Sequence, residues 1–182
     1  RCTIAGNLCN ASPAADSVPA LIAAGAKAVI VGEQRRRTVP VEKIITGPGT
    51  TSLQKGELIE SILLPKQAAR SADAYLRFIP RTEMDIAVVG VGINLTLARG
   101  VIQSARVVLG AVAPTPILVA KAAKAIVGTK LDAQALENLA AACSDACDPI
   151  DDKRGTIEYR TRVAGVLARR AAVIAFKRAG GA

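Results

Sequence analysis

The chain has 182 residues, of which 51% are apolar, and this is enough for a buried core without metal or disulfide staples. A net charge of +9 favours an anionic partner, but the absence of Trp and the presence of only two Phe and two Tyr argue against a single-strand nucleic-acid binder. No histidine accompanies the four cysteines, which argues against zinc sites and against Cys-His or Ser-His catalysis.

The first third of the chain has the pattern of a small α/β unit. Ser12 and Pro13 are typical of the N-cap and first position of a helix, which we expect over residues 13–24 because Gly25 follows. Runs of β-branched and apolar residues bounded by Gly and Pro then predict three strands, at 27–31, 37–41 and 58–64.

The rest of the chain changes from strands to helices. Strands are predicted at 73–80, 86–97 and 101–112, with a hairpin turn at Arg99-Gly100, and Pro114 and Pro116 should end the sheet. Helical periodicity follows at 117–127, 132–147 and 156–178. The expected fold is α+β: a three-stranded antiparallel sheet packed with a three-helix layer, in a second domain of residues 72–182 that follows a first domain of residues 1–71.

Basic residues concentrate at Arg35–Arg37 and between Lys153 and Arg178. In the last predicted helix they surround the apolar face, which is typical of a solvated helix surface and also compatible with a phosphate or partner surface. No apolar run approaches the length of a membrane span, there is no signal-peptide profile, and reduced thiols fit a cytoplasmic protein. The start at Arg1, without Met, is interpreted as a truncated, cleaved or incomplete start.

The residues before the first predicted helix carry the clearest chemical signal. Gly6 next to Asn7 allows backbone N–H groups to approach an anion, because glycine has no Cβ to hold a ligand away. The Thr3, Asn7 and Ser12 side chains can donate hydrogen bonds to phosphate or ribose oxygens, and Asp16 can accept one from a ribose or ring donor. By itself this pattern is compatible with either a nucleotide phosphate site or a structural turn.

The longer string is more specific. Residues 3–16, Thr-Ile-Ala-Gly-Asn-Leu-Cys-Asn-Ala-Ser-Pro-Ala-Ala-Asp, resemble the second FAD motif, T-I-G-G-N followed by S-P-x-x-D, of the xanthine dehydrogenase and carbon monoxide dehydrogenase flavoprotein family. Three further segments at matching intervals resemble the same family. Residues 58–65 resemble its strand that ends in Pro. Residues 75–87 resemble its Y-x-K-F and R-x-x-x-D-I-A patterns, with Arg77 at the Lys position, and residues 154–160 resemble its R-G-S-x-x-Y-R opening of the last helix.

The resemblance implies an FAD site made by three sets of residues. The motif residues would wrap the FAD diphosphate, Leu58 and Ile59 would pack on the adenine end, and Arg77 and Phe78 would lie toward the isoalloxazine. The candidate contacts in the motif are Thr3, Ile4, Ala5, Gly6, Asn7, Ser12 and Asp16. Ala5 replaces the first of two family glycines, so a positive φ is disfavoured there, and the A-G-G-T-D-type loop that completes the family's site is not in this sequence.

The same resemblance implies electron transfer without a general acid or base in this chain. Such a flavin subunit accepts electrons from two-iron two-sulfur clusters and passes them to NAD or another acceptor. Molybdopterin and the clusters would lie on a large and a small partner subunit, in a dimer of heterotrimers, and this chain has no iron–sulfur ligand pattern. The alternative is a non-catalytic basic module, or a degenerate remnant, that binds a partner subunit or a polyanion through its Arg-rich final helix.

Overall fold

The computed structural model describes residues 3–81 and 85–181, and within them the chain forms five α-helices and nine strands. The helices are α1 (Ile4–Cys9), α2 (Ser17–Ala23), α3 (Ala120–Ile126), α4 (Ala133–Asp145) and α5 (Ile157–Arg178). The strands are β1 (Lys27–Val31), β2 (Arg36–Pro40), β3 (Ile45–Gly47), β4 (Thr50–Thr51), β5 (Leu58–Leu63), β6 (Ser71–Phe78), β7 (Val89–Ala98), β8 (Val101–Gly110) and β9 (Ile117–Leu118). Thr82, Glu83 and Met84 of the family-like segment lie outside the described residues.

The first half of the chain is built on an antiparallel sheet with the strand order β2-β1-β5. A register shift after Val29 leaves Glu60 of β5 as an extra residue, so that both Ile59 and Ile62 pack against the core. That core also contains Leu8 of α1 and Ile22 of α2, and it therefore ties both short helices to the sheet.

The predicted helix over residues 13–24 is wrong in its first turn. Instead, α1 occupies residues 4–9, a turn follows, and α2 begins only at Ser17. The hydroxyl of Ser12 accepts a hydrogen bond from the Ala14 N–H at 3.2 Å, which closes a local turn rather than capping a helix. Ala11 before it has φ of 50°, a left-handed conformation that reverses the chain between the two helices.

The second half is the predicted α+β arrangement. Strands β6, β7, β8 and β9 form one antiparallel sheet in that order, and α3, α4 and α5 cover one of its faces. The β7–β8 hairpin turns at Arg99 and Gly100, with φ of 53° and 79°, and the predicted turn there is confirmed. The sheet has a fourth strand that was not predicted, because Ile117 and Leu118 pair with Leu109 and Val108 before α3 begins.

Helix α2 packs on the opposite face of the second sheet. Glycines make this approach possible: a Cβ on Gly92 would lie 2.7 Å from the Pro19 carbonyl oxygen, and one on Gly110 would lie 2.6 Å from Pro19 Cγ. Arg106 of β8 adds a hydrogen bond from its Nε to the Ile22 carbonyl oxygen at 3.0 Å. The two halves of the chain are therefore packed together, and their division into domains at residue 71 stays a prediction.

Across the described residues, no helix is both long and apolar enough to cross a membrane.

Candidate functional site

The N-terminus of α1 presents backbone donors to solvent. Thr3 caps the helix, since its Oγ1 accepts the Gly6 N–H at 3.0 Å. The N–H groups of Ile4 and Ala5 have no acceptor among the described residues, and the Ile4 residue is 54% exposed. Two outward N–H groups at the positive end of a helical turn are chemically suited to an oxyanion.

Gly6 is needed here for a local reason. A Cβ at this position would lie 2.9 Å from the Thr3 Oγ1, so a larger residue would displace the capping hydroxyl. Ala5 is not among the residues with positive φ, because it lies inside α1. The alanine that replaces a family glycine therefore fits this backbone without the strain expected from the sequence.

Asn7 joins the two helices. Its Oδ1 accepts hydrogen bonds from the Ser17 N–H at 3.1 Å and from the Ser17 hydroxyl at 2.6 Å, and so it caps α2 from ten residues away. A backbone N–H can only donate, so the Asn7 atom that faces it must be the oxygen. The Asn7 amide nitrogen is thereby left to donate elsewhere, from a side chain whose orientation is fixed by the two hydrogen bonds to Ser17.

The motif reaches the second sheet through an ion pair. Asp16, just before α2, accepts a hydrogen bond from the guanidinium of Arg77 on β6. Tyr75 lies two residues earlier on the same face of β6, and burial together with the nearby Asp16 carboxylate raises the pKa of its phenol to about 12. Tyr75 is therefore a neutral hydroxyl beside a compensated pair of charges at physiological pH.

The structure does not bring all the predicted contacts together. Arg77 and Phe78 are neighbours in β6 and point to opposite faces of the sheet. Phe78 packs against the helical core and makes an edge contact with Tyr159, with ring centroids 6.0 Å apart. Leu58 is 58% exposed on the edge strand β5, whereas Ile59 packs against the first core.

A cavity of about 360 Å³ opens beside the Ser12–Ala14 turn. Its other walls include Ile86, Ile150 and the 111–114 turn, and the lining is mostly apolar. Ile86 and Ile150 are 51% and 70% exposed, which makes them apolar groups available to a ligand.

Arg160 at the base of this cavity was missed at the sequence level. It is 4% exposed and donates to the carbonyl oxygens of Val88 at 2.9 Å and Ala111 at 3.3 Å, and to Asp152 Oδ1 at 2.6 Å. In the sequence it is one of many arginines on α5 and was assigned to the solvated surface. The feature of the sequence that could have singled out Arg160 is the Tyr159-Arg160 pair, which resembles the family's pattern.

Two family-like segments that were recognised separately meet beside Arg160. Arg154 Nε donates to Asp85 Oδ1 at 3.0 Å, and Arg81 Nε donates to Asp85 Oδ2 at 3.1 Å. The hydrogen bond from Arg154, followed by that from the Ile86 N–H, lowers the pKa of Asp85 to about 2. The charged carboxylate thus holds the Asp85–Ala87 segment against the loop before α5.

Family models match nearly the whole chain. Residues 1–67 match the FAD binding domain in molybdopterin dehydrogenase, and residues 74–174 match the CO dehydrogenase flavoprotein C-terminal domain. The chain is 34% identical over 169 residues to the carbon monoxide dehydrogenase medium chain of Afipia carboxidovorans, covering 93% of this chain and 58% of the relative. It is 28% identical to the xanthine dehydrogenase FAD-binding subunit of Escherichia coli O157:H7, covering 98% and 62%.

Solved structures agree with these matches. A chain of the reconstituted CO dehydrogenase from Oligotropha carboxidovorans superposes with a TM-score of 0.92 at 34% identity, covering 97% of this chain and 61% of that chain. A CO dehydrogenase chain from Hydrogenophaga pseudoflava gives a TM-score of 0.94 at 31% identity, covering 98% and 62%. The present chain therefore spans about three fifths of the length of the proteins that it matches.

Proposed function

We propose, from the premise that this chain belongs to the FAD-binding subunit family of the CO and xanthine dehydrogenases, that it binds FAD and transfers electrons in a molybdenum hydroxylase. The observation that carries this proposal is the exposed N-terminus of α1, where the Ile4 and Ala5 N–H groups have no acceptor within the described part of the chain. These donors lie in the segment matched by the FAD-binding family model.

The diphosphate would be held by backbone more than by side chains. The N–H groups of Ile4 and Ala5 and the amide nitrogen of Asn7 are donors that a diphosphate can accept from. Thr3 and Gly6 act indirectly, because the Thr3 hydroxyl and the Gly6 N–H hold the first turn of α1 in shape. The Ser12 turn sets the direction in which the chain leaves this region.

The rest of the cofactor would extend along the surface on either side of α1. On the sheet β2-β1-β5, Leu58 offers exposed apolar surface for the adenine, with Ile59 supporting it from the core side. Asp16 and Arg77 would lie toward the isoalloxazine, and Phe78 would support β6 from the opposite face.

When bound, FAD supplies the redox chemistry, and the residues of this chain position it and set its electrostatic surroundings. Electrons would arrive from a two-iron two-sulfur small subunit after substrate oxidation on a molybdopterin-binding large subunit, in a dimer of heterotrimers, and leave to NAD or another acceptor. The apolar cavity beside Ser12 offers a place for that acceptor to approach. The free thiols of Cys9, Cys143 and Cys147 support a cytoplasmic location.

The direct test is the absorbance spectrum of the full-length protein that contains this chain. The proposal predicts flavin bands that stay with the protein through gel filtration and bleach on reduction with dithionite. A folded full-length protein that stays colourless after incubation with excess FAD would contradict it.

Removing either member of the Arg77–Asp16 pair should shift the midpoint potential of the bound flavin, in opposite directions for the two residues. Reduced flavin is anionic, so Arg77→Ala should lower the midpoint potential of the bound flavin, and Asp16→Asn should raise it by freeing the positive charge of Arg77. A change of about 30 mV corresponds to about 1.4 kcal/mol for a two-electron couple, and we expect shifts of that order. Redox titration of the full-length flavoprotein measures the midpoint potentials of both variants. Unchanged potentials would show that Arg77 and Asp16 do not lie near the isoalloxazine.

A further inference from the structure

Helix α2 is capped by a side chain from another helix. Asp16 stands at the N-cap position of α2 but makes no side-chain cap hydrogen bond, and its carboxylate pairs with Arg77 instead. The cap comes from Asn7, whose Oδ1 accepts hydrogen bonds from the Ser17 N–H at 3.1 Å and from the Ser17 hydroxyl at 2.6 Å. The first residue of α2 therefore holds the asparagine of the FAD motif by two hydrogen bonds.

These hydrogen bonds leave the other end of the Asn7 amide available. Because both Ser17 donors bind the oxygen, the two N–H bonds of Nδ2 are directed elsewhere. No acceptor for Nδ2 lies among residues 3–81 and 85–181. In the same ranges, the buried side-chain atoms without a partner are Glu42 Oε2 and Ser52 Oγ, so Asn7 Nδ2 is open to solvent and can donate to a ligand.

The residue type at position 7 is also informative. For capping alone an aspartate would serve as well, since Asn and Asp are about equally good N-caps and a carboxylate interacts favourably with a helix N-terminus. Only the amide has N–H groups that can donate to a phosphate oxygen. Asn7 therefore combines an acceptor that the fold uses with a donor that the fold leaves unused.

The Ser17 hydroxyl is not needed to satisfy the backbone of α2. The Ser17 N–H already has Asn7 Oδ1 as its acceptor, so the hydroxyl serves to hold the plane of the Asn7 amide. A ligand that binds an oriented amide orders less side-chain freedom than one that binds a rotating amide, and it is bound more tightly for that reason.

We infer that Ser17 is a positioning residue of the FAD site, whose hydroxyl holds the Asn7 side chain so that Nδ2 donates to the FAD diphosphate. Ser17 acts through Asn7 and not by its own contact with the cofactor. This inference rests on the proposed function, because it explains how one of the proposed diphosphate donors is oriented.

The test is the FAD dissociation constant of the full-length apoprotein, measured by fluorescence titration. Ser17→Ala should raise it about three- to tenfold, because the Asn7 side chain loses one of its two hydrogen bonds. Ser17→Thr keeps a hydroxyl and should return the constant to within about twofold of wild type. The matched control, Ser144→Ala, removes a hydroxyl that donates to the Thr161 carbonyl oxygen at 3.1 Å, outside the FAD motif, and should also stay within about twofold.

Variants of Asn7 separate orientation from folding. Asn7→Asp keeps an acceptor for both Ser17 donors and should leave the unfolding midpoint unchanged, but it has no N–H to donate and should weaken FAD binding at least about tenfold. In an Asn7→Ala protein, adding Ser17→Ala should change the FAD dissociation constant by less than about twofold, because Ser17 then has no amide to hold.

The outcomes separate this inference from the proposed function. A loss of FAD affinity in Ser17→Ala that equals the loss in Ser144→Ala overturns the role of Ser17. So does a loss from Ser17→Ala that is the same with and without Asn7, or an Asn7→Asp protein that binds FAD as tightly as wild type. These three results leave the proposed function standing, whereas a wild-type protein that does not bind FAD contradicts the proposed function and overturns this inference with it.

Discussion

Replacing Arg160 with methionine is expected to lower the free energy of unfolding by about 2–4 kcal/mol, because each buried carbonyl oxygen that loses its donor costs about 1–3 kcal/mol. The substitution would leave the Asp152 carboxylate without its guanidinium and would remove the donor to the Val88 and Ala111 carbonyl oxygens. The Val88 oxygen lies just before β7 and the Ala111 oxygen just after β8, so the lost hydrogen bonds affect both the sheet and the lining of the cavity.

The matched control is Arg162→Met, two residues further along α5. The Arg162 side chain is exposed and has no acidic partner among the described residues, so the change should stay within about 0.5 kcal/mol. Urea unfolding followed by circular dichroism measures both variants. A loss below about 1 kcal/mol in Arg160→Met would show that solvent or a rearranged loop replaces its hydrogen bonds.

The regular elements were predictable because their signals are local. The β-branched run of β1, the hairpin turn at Arg99-Gly100 and the long apolar face of α5 each reflect residues close in sequence. Strand β9 was missed because two residues give too little pattern, and their pairing with β8 depends on contacts across the sheet.

The arrangement of the FAD motif depends on contacts that sequence spacing does not reveal. The sequence placed a helix cap at Ser12, whereas the cap of α2 is Asn7, ten residues from Ser17. Asp16 meets Arg77 across 61 residues, and Arg160 meets Val88 across 72. A single sequence contains no measure of such pairings. The resemblance to a known family pointed to Asp16 and Arg77 as FAD contacts, but not to their contact with each other.

The assignment of individual FAD contacts stays a prediction. The structure distinguishes the groups that can donate directly to the cofactor from those that shape the backbone around it. The Ile4 and Ala5 N–H groups and the Asn7 amide have direct donor capacity, whereas Gly6 and Ser12 shape the backbone. Phe78, expected beside the flavin, belongs to the helical core.

Substituting Ile4 with aspartate should separate helix stability from cofactor binding. A carboxylate in the first turn of a helix interacts favourably with the helix dipole, by about 0.3–1 kcal/mol, so α1 should be at least as stable as before. The same carboxylate would face the proposed position of the FAD diphosphate. Like charges in contact cost several kcal/mol, so FAD affinity should fall at least about tenfold.

The matched control is Asn10→Asp, which adds the same charge at the C-cap of α1, six residues away from the proposed diphosphate position. The deciding measurement is the FAD dissociation constant of the full-length apoprotein, from fluorescence titration of wild type, Ile4→Asp and Asn10→Asp. We expect weaker binding in Ile4→Asp alone, with an unchanged unfolding midpoint. Equal FAD affinity in all three proteins would contradict a diphosphate site at the N-terminus of α1.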